Sequence, residues 1–162
     1  MMKSLNEVLL ERQEMKTFSV VLESIQTPAK EEHIFELHKL GDFSDRYCLS
    51  PYKPGLKPTL NGYFLFVILA SEPLKIYCGV EAFGATGKNK DFVVAGHTSL
   101  SQRSEVLYAG CISFVYGKMK EWTNSSGHYL PPARLHSKNL VPALRRLLPA
   151  AKFKKHISVT YL

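Results

Sequence analysis

The stretch VLYAGCISFVYGKMKEWT, residues 106–123, reads as a β-hairpin and decides the fold. Val106 to Val115 is a long run of strand formers, Tyr116-Gly117 is a two-residue turn, and Lys118 to Thr123 is the return strand. With that turn, Phe114 faces Met119, Gly110 faces Thr123, and Glu105 comes level with His128. A one-residue slip would invert every face, so the whole arrangement hangs on the register. Upstream, Tyr63–Ala70, Lys75–Val80 and Phe92–Ala95 read as three more strands, the first two separated by the turn Ser71-Glu72-Pro73. No helical segment separates the strands between residues 63 and 115. That excludes a doubly wound parallel sheet and predicts an α+β domain built on a mainly antiparallel sheet.

Outside this core of strands the pattern changes. Ser4–Lys16 predicts an N-terminal helix, with Ser4 as N-cap and Glu7 three residues on. Phe18–Ile25 alternates as a strand and Thr27-Pro28 stops it, while Glu31–Leu40 fits either a helix or a strand. Residues 42–62 carry Pro51, Pro54, Pro58, Gly55 and Gly62 and predict one long loop, a wall or lid for a site. Ala133–Leu148 predicts a basic C-terminal helix that Pro142 kinks or restarts. Residues 149–162 are a basic tail or a short final strand, His156–Tyr161.

At 162 residues, 45% apolar and 22% charged, residues 1–162 form one globular domain with a single core. The longest apolar run is the eight residues Tyr63–Ala70, far short of a membrane span. The N-terminus lacks the apolar region of a secretory signal, so the expected location is the cytoplasm, or another cell's cytosol reached by a signal-independent route. Cys48, Cys78 and Cys111 are an odd set without a CxxC pair, which argues against a disulfide framework or a zinc knuckle. No HExxH spacing or carboxylate pair marks a metal site, and no cofactor is expected. GATGKNKD, residues 84–91, lacks the spacing of a phosphate loop.

The charge is unevenly spread. The chain holds 21 Lys+Arg and 14 Asp+Glu, a net +7, and its last acid is Glu121. Arg134, Lys138, Arg145, Arg146, Lys152, Lys154 and Lys155 follow with no acid among them. Such a one-sign segment attracts phosphates or nucleic acid, and it is also the ordinary look of a solvated helix and tail. Arg145, Arg146, Lys152, Lys154 and Lys155 are therefore candidate polyanion contacts.

Two Gly-His segments flank the hairpin: Gly96-His97-Thr98-Ser99 and Ser125-Ser126-Gly127-His128-Tyr129. A hairpin returns its ends to one place, so His97 and His128 could meet. Two histidines suit general acid–base cleavage of a phosphodiester, one taking and one giving a proton. Thr98 and Ser99 would orient the imidazole or bind phosphate oxygens. Ser126, Tyr129, Arg103 and Arg134 are candidate ligand contacts, the arginines steadying developing charge. Tyr129 and Trp122 read equally as core aromatics, and Asn-Ser-Ser-Gly as an ordinary strand exit.

At this block the chain resembles a family found in plant calmodulin-binding IQ-motif proteins and in C-terminal modules of bacterial polymorphic toxins. His97-Thr98-Ser99, Ala109-Gly110-Cys111 and Ser126-Gly127-His128-Tyr129-Leu130-Pro131 carry the resemblance, over about a quarter of the chain. Cys111 stands where the family pattern has glutamate, so no carboxylate role is carried over. No IQ-type basic repeat is present, so calmodulin binding is not carried over either. The expectation is a toxin- or effector-like domain that binds a nucleotide or RNA in a His97/His128 cleft. Phosphodiester cleavage or nucleotidyl/ADP-ribosyl transfer are the reactions to test. The alternative is a non-catalytic binding module in which the SGHY segment is architectural.

Overall fold

A computed structural model of the chain describes residues 15–20, 28–41, 44–51, 55–127 and 129–156. The helix expected at Ser4–Lys16, most of the strand at Phe18–Ile25, His128, and the strand at His156–Tyr161 lie outside the described residues, apart from their edges.

The hairpin forms where its residues dictate. Strand β5 spans Val106–Val115 and β6 spans Lys118–Thr123, joined at Tyr116 and Gly117, both at positive φ. With β1 (Phe35–Lys39), β2 (Tyr47–Pro51), β3 (Gly62–Leu69), β4 (Tyr77–Val80) and β7 (Phe153–Lys154) they make a seven-stranded sheet. Its order is β2-β1-β4-β3-β5-β6-β7, antiparallel throughout except for the parallel β6–β7 pair. Among the described residues two short α-helices accompany it: α1 (His97–Ser101), a single turn inside the span of residues 63–115 where the sequence predicts no helix, and α2 (Pro142–Leu147), giving a single α+β domain.

Four expectations need correction. Residues 42–62 are not loop throughout, because β2 lies inside them and pairs along its length with β1. Its one proline, Pro51, is tolerated because β2 is the outermost strand and Pro51 its last residue, where a missing N–H breaks no inner ladder. Phe92–Ala95 is not a strand; a 3-10 segment, Gly87–Phe92, leads into a single bridge from Val93 to Val80. Ala133–Leu148 is not one helix but a 3-10 turn, Ala133–Leu135, followed by α2, which starts at Pro142. Proline cannot accept the interior of a helix but is well placed at its first position.

The fourth correction concerns register. Phe114 does face Met119, but a bulge between Ser113 and Phe114 then pairs Ser113 with Glu121 and Ile112 with Trp122. The extra residue, Lys120, changes the alternation of β6. Met119 and Trp122, three residues apart, thus both enter the core, and Glu121 is turned to the opposite face with Ser113.

One face of the sheet carries the larger core. Phe64, Phe66, Ile68, Tyr108, Ile112 and Trp122 pack against Leu135, Leu140, Val141, Leu144 and Leu148 of the C-terminal segment. Backbone carbonyls on that segment are taken by sheet side chains: Tyr47 donates to Leu147 O at 2.9 Å and Trp122 Nε1 to Pro149 O at 2.7 Å. Burial pushes the Tyr47 phenol up to about 12 and Tyr108 up as well. On the second face Leu65, Val67, Val106 and Ala109 are covered by Val94, Leu100 and Tyr129. That cover reaches over only part of the second face; Tyr63, Ser113 and Glu121 lie on the remainder.

Candidate functional site

His97 begins α1 and is 5% exposed. Its Nε2 lies 2.7 Å from the Gly110 carbonyl oxygen. A carbonyl only accepts, so the contact fixes a hydrogen on Nε2. Thr98, Ser99 and Ser101 are buried in the same turn of helix, and Ser99 Oγ has no hydrogen-bond partner among the described residues.

Ser126 and Tyr129 are buried close by. The Tyr129 hydroxyl donates to Ser104 O at 2.6 Å, which leaves its oxygen to accept from Ser101 Oγ, also at 2.6 Å. Burial raises the Tyr129 phenol above its ordinary value, with Ser101 and Arg103 pulling the other way. Ser126 Oγ accepts from the Tyr129 amide, and Ser126 O from the Leu130 amide, which sits at positive φ. Asn124 ties Pro131 O and the His156 backbone to the same end of the hairpin. His97, Ser101, Ser126 and Tyr129 are therefore gathered at the hairpin's open end, as polar groups turned inward on one another.

The cationic candidates are scattered. Arg103 and Arg134 are exposed, Arg134 on the 3-10 turn whose Leu135 enters the larger core. Arg145 donates to Ser137 O at 3.0 Å, Lys152 to Met119 O at 2.8 Å, and Lys154 pairs with Glu121 at 3.9 Å. Arg146 and Lys155 are exposed.

A concavity of about 350 Å³ opens elsewhere, over the uncovered part of the second sheet face. Three strands and the residue after a fourth lay one row beneath it: Glu81, Tyr63, Ser113 and Glu121. Glu81, just past β4, donates its amide to Tyr63 O at 3.0 Å; Tyr63 pairs with Ser113 and Ser113 with Glu121. Residues opposite one another in a sheet share a face, so these side chains line one floor. Phe83 leans over Tyr63, ring centroids 5.9 Å apart at 49°, and both rings are largely exposed. Thr123, Ser125 and His156 close the other side.

Cys111 sits in the floor as a thiol. Burial, then the Glu81 carboxylate, pushes it up to about 12. Its Sγ lies 3.7 Å from Ser125 O. A thiol so protonated is a poor nucleophile at neutral pH. Among the described residues no three His, Cys, Asp or Glu stand together as a metal site, and no helix is long and apolar enough to cross a membrane.

Of the concavity, sequence reading singled out Cys111 and Ser125 as parts of motifs and no other lining residue. Two signals could have found it: Phe83 exposed ahead of a glycine in a polar loop, and Ser113 interrupting an apolar strand. Glu121 had no signal, since the bulge alone decides its face. No protein-family model, no curated protein and no solved structure matches this chain.

Proposed function

We propose that the chain is a non-catalytic binding module. Its Gly96–Ser101 and Ser126–Pro131 segments clasp the open end of the hairpin, and its ligand lies in the concavity above Tyr63 and Ser113. The observation that carries this reading is the 2.7 Å contact from His97 Nε2 to the Gly110 carbonyl, made by a ring only 5% exposed. A general base must reach a substrate proton with a lone pair; Nε2 holds its own hydrogen against backbone, and burial withdraws the rest of the ring from solvent. Thr98, Ser99, Ser126 and Tyr129 are equally withdrawn from solvent, and the Ser126 and Tyr129 hydroxyls are engaged within the protein.

The test is His97→Gln, whose amide can still donate to Gly110 O. The variant is expected to fold, and neither it nor the parent is expected to cleave an RNA oligonucleotide, turn over NAD or ATP, or slow growth on expression. Any such activity that is lost in His97→Gln overturns the reading.

A second reading is favoured by charge, since the net positive excess lies wholly after Glu121. In it, a toxin- or effector-like domain draws a nucleotide or RNA to Arg134, Arg145, Arg146, Lys152, Lys154 and Lys155, and acts on it near His97 and His128. Its signature is RNA binding that falls by orders of magnitude between about 50 and about 200 mM salt.

A further inference from the structure

The concavity is mainly apolar, with its polar groups set in one row. Its floor has a carboxylate at each end of one row, Glu81 and Glu121, with Tyr63 and Ser113 between them. Strands lie about 4.8 Å apart, so three steps separate the two glutamate backbones by roughly 14 Å. No ion pair or hydrogen bond reaches the Glu81 carboxylate from the described residues. Ser113 is 8% exposed, lines this floor, and its hydroxyl has no partner among the described residues. Buried polar groups are nearly always satisfied, so this orphan hydroxyl, nearly closed off within the lining of the concavity, is left for a ligand atom that reaches down to it. Tyr63, 43% exposed, and Phe83, 75% exposed, stand above it as an open pair of rings.

Carboxylates below and aromatic faces beside are complementary to a cation with a flat or apolar body. A ring face attracts positive charge, most of all a guanidinium, which stacks while its N–H groups meet carboxylate and hydroxyl oxygens. A phosphate in the same place would face two glutamates. We infer that the concavity binds an organic cation of arginine type: guanidinium between Glu81 and Glu121, its plane against Tyr63 and Phe83, and one N–H on Ser113 Oγ. The inference rests on the binding-module reading and gives that module its ligand class. Lys154, with its ammonium 3.9 Å from Glu121 and its side chain 72% exposed, is a weak resident competitor. Solvent-exposed pairs of this kind contribute little and are readily displaced.

The experiment uses the full chain, isotope-labelled, and follows amide resonances of Tyr63, Phe83, Ser113 and Glu121 on titration. N-acetyl-L-arginine amide is expected to shift them saturably, and the neutral isostere N-acetyl-L-citrulline amide to bind at least about tenfold more weakly. Glu81→Gln and Phe83→Ala, both at the surface, are each expected to weaken arginine binding severalfold. Lys154→Ala is expected to strengthen it, the opposite of its effect on AMP, whose phosphate that lysine would attract. Tighter binding of an end-blocked Gly-Gly-Arg-Gly-Gly peptide than of the single amide identifies a peptide source; equal binding identifies a small molecule. Citrulline amide binding as well as arginine amide, or AMP shifting these residues while arginine amide does not, overturns the cation assignment and leaves the concavity as the site. If none of these probes moves the four resonances, the binding-module reading falls with it.

Discussion

Tyr129 shows how much a single hydroxyl can hold. It donates to Ser104 O and accepts from Ser101, so one phenol joins the end of α1, the residues leading into β5, and the segment after β6. Tyr129→Phe keeps the ring and its 1% exposure but orphans a buried hydroxyl and a carbonyl. The expected cost is about 1–3 kcal/mol in urea unfolding with the fold retained. A loss near zero would mean the clasp does not close as described. That Tyr129 matters was legible in the sequence, since an aromatic after Ser-Gly-His ahead of a proline is conspicuous. Its role was not, because Ser101 and Ser104 lie more than twenty residues away and only folding brings them within reach.

Strands β5 and β6 separate at a point set by one glycine and one bulge. A Cβ built on Gly110 would stand 1.8 Å from Thr123 O and 2.7 Å from its carbonyl carbon. Backbone cannot swing aside as a side chain can, so Gly110→Ala must push β6 off its course. Overpacking of this kind costs about 1–3 kcal/mol. It is expected to disturb His97 too, since His97 bonds the Gly110 carbonyl; both effects are readable by urea midpoint and by the His97 ring resonances. At Gly79 a Cβ meets only side-chain methyls, Val94 Cγ2 at 2.8 Å and Leu100 Cδ2 at 2.9 Å, so Gly79→Ala should cost less. A Gly79 variant as damaged as the Gly110 variant would contradict this ranking. The limits of β3 and β5 could be read from residue type alone, because long apolar runs between turn formers leave little choice. The bulge at Lys120 could not, since an added residue is selected by which neighbours must reach the core, here Met119 and Trp122.

Three phenols and two thiols, Tyr47, Tyr108, Tyr129, Cys78 and Cys111, are held inside the molecule, and this sets its behaviour toward base. Tyr47 and Cys111 are raised to about 12, and Cys78, Tyr108 and Tyr129 are raised as well, burial leading in each. The folded chain therefore keeps protons that the unfolded chain gives up from the ordinary thiol and phenol values of 9.0 and 10.0 upward. Stability from these groups is complete below about pH 9 and is lost as pH climbs toward about 12. The urea midpoint should hold from neutral to about pH 8 and fall steadily by about pH 11, with no matching loss on this account in mild acid. A midpoint flat across that alkaline range would contradict the burial of these side chains. By itself the sequence determined what neighbouring residues decide: the hairpin and its turn, the central strands, an antiparallel α+β domain, and a net charge lying wholly after Glu121. Local propensity and the period-2 pattern are short-range properties, and they are written directly in the chain. Only the tertiary structure decided that β2 forms within a proline-rich segment, that His97 turns its ring onto backbone, and that Glu81, Tyr63, Ser113 and Glu121 share one row. Those outcomes depend on strand order and register, which follow from competition among all the buried contacts at once.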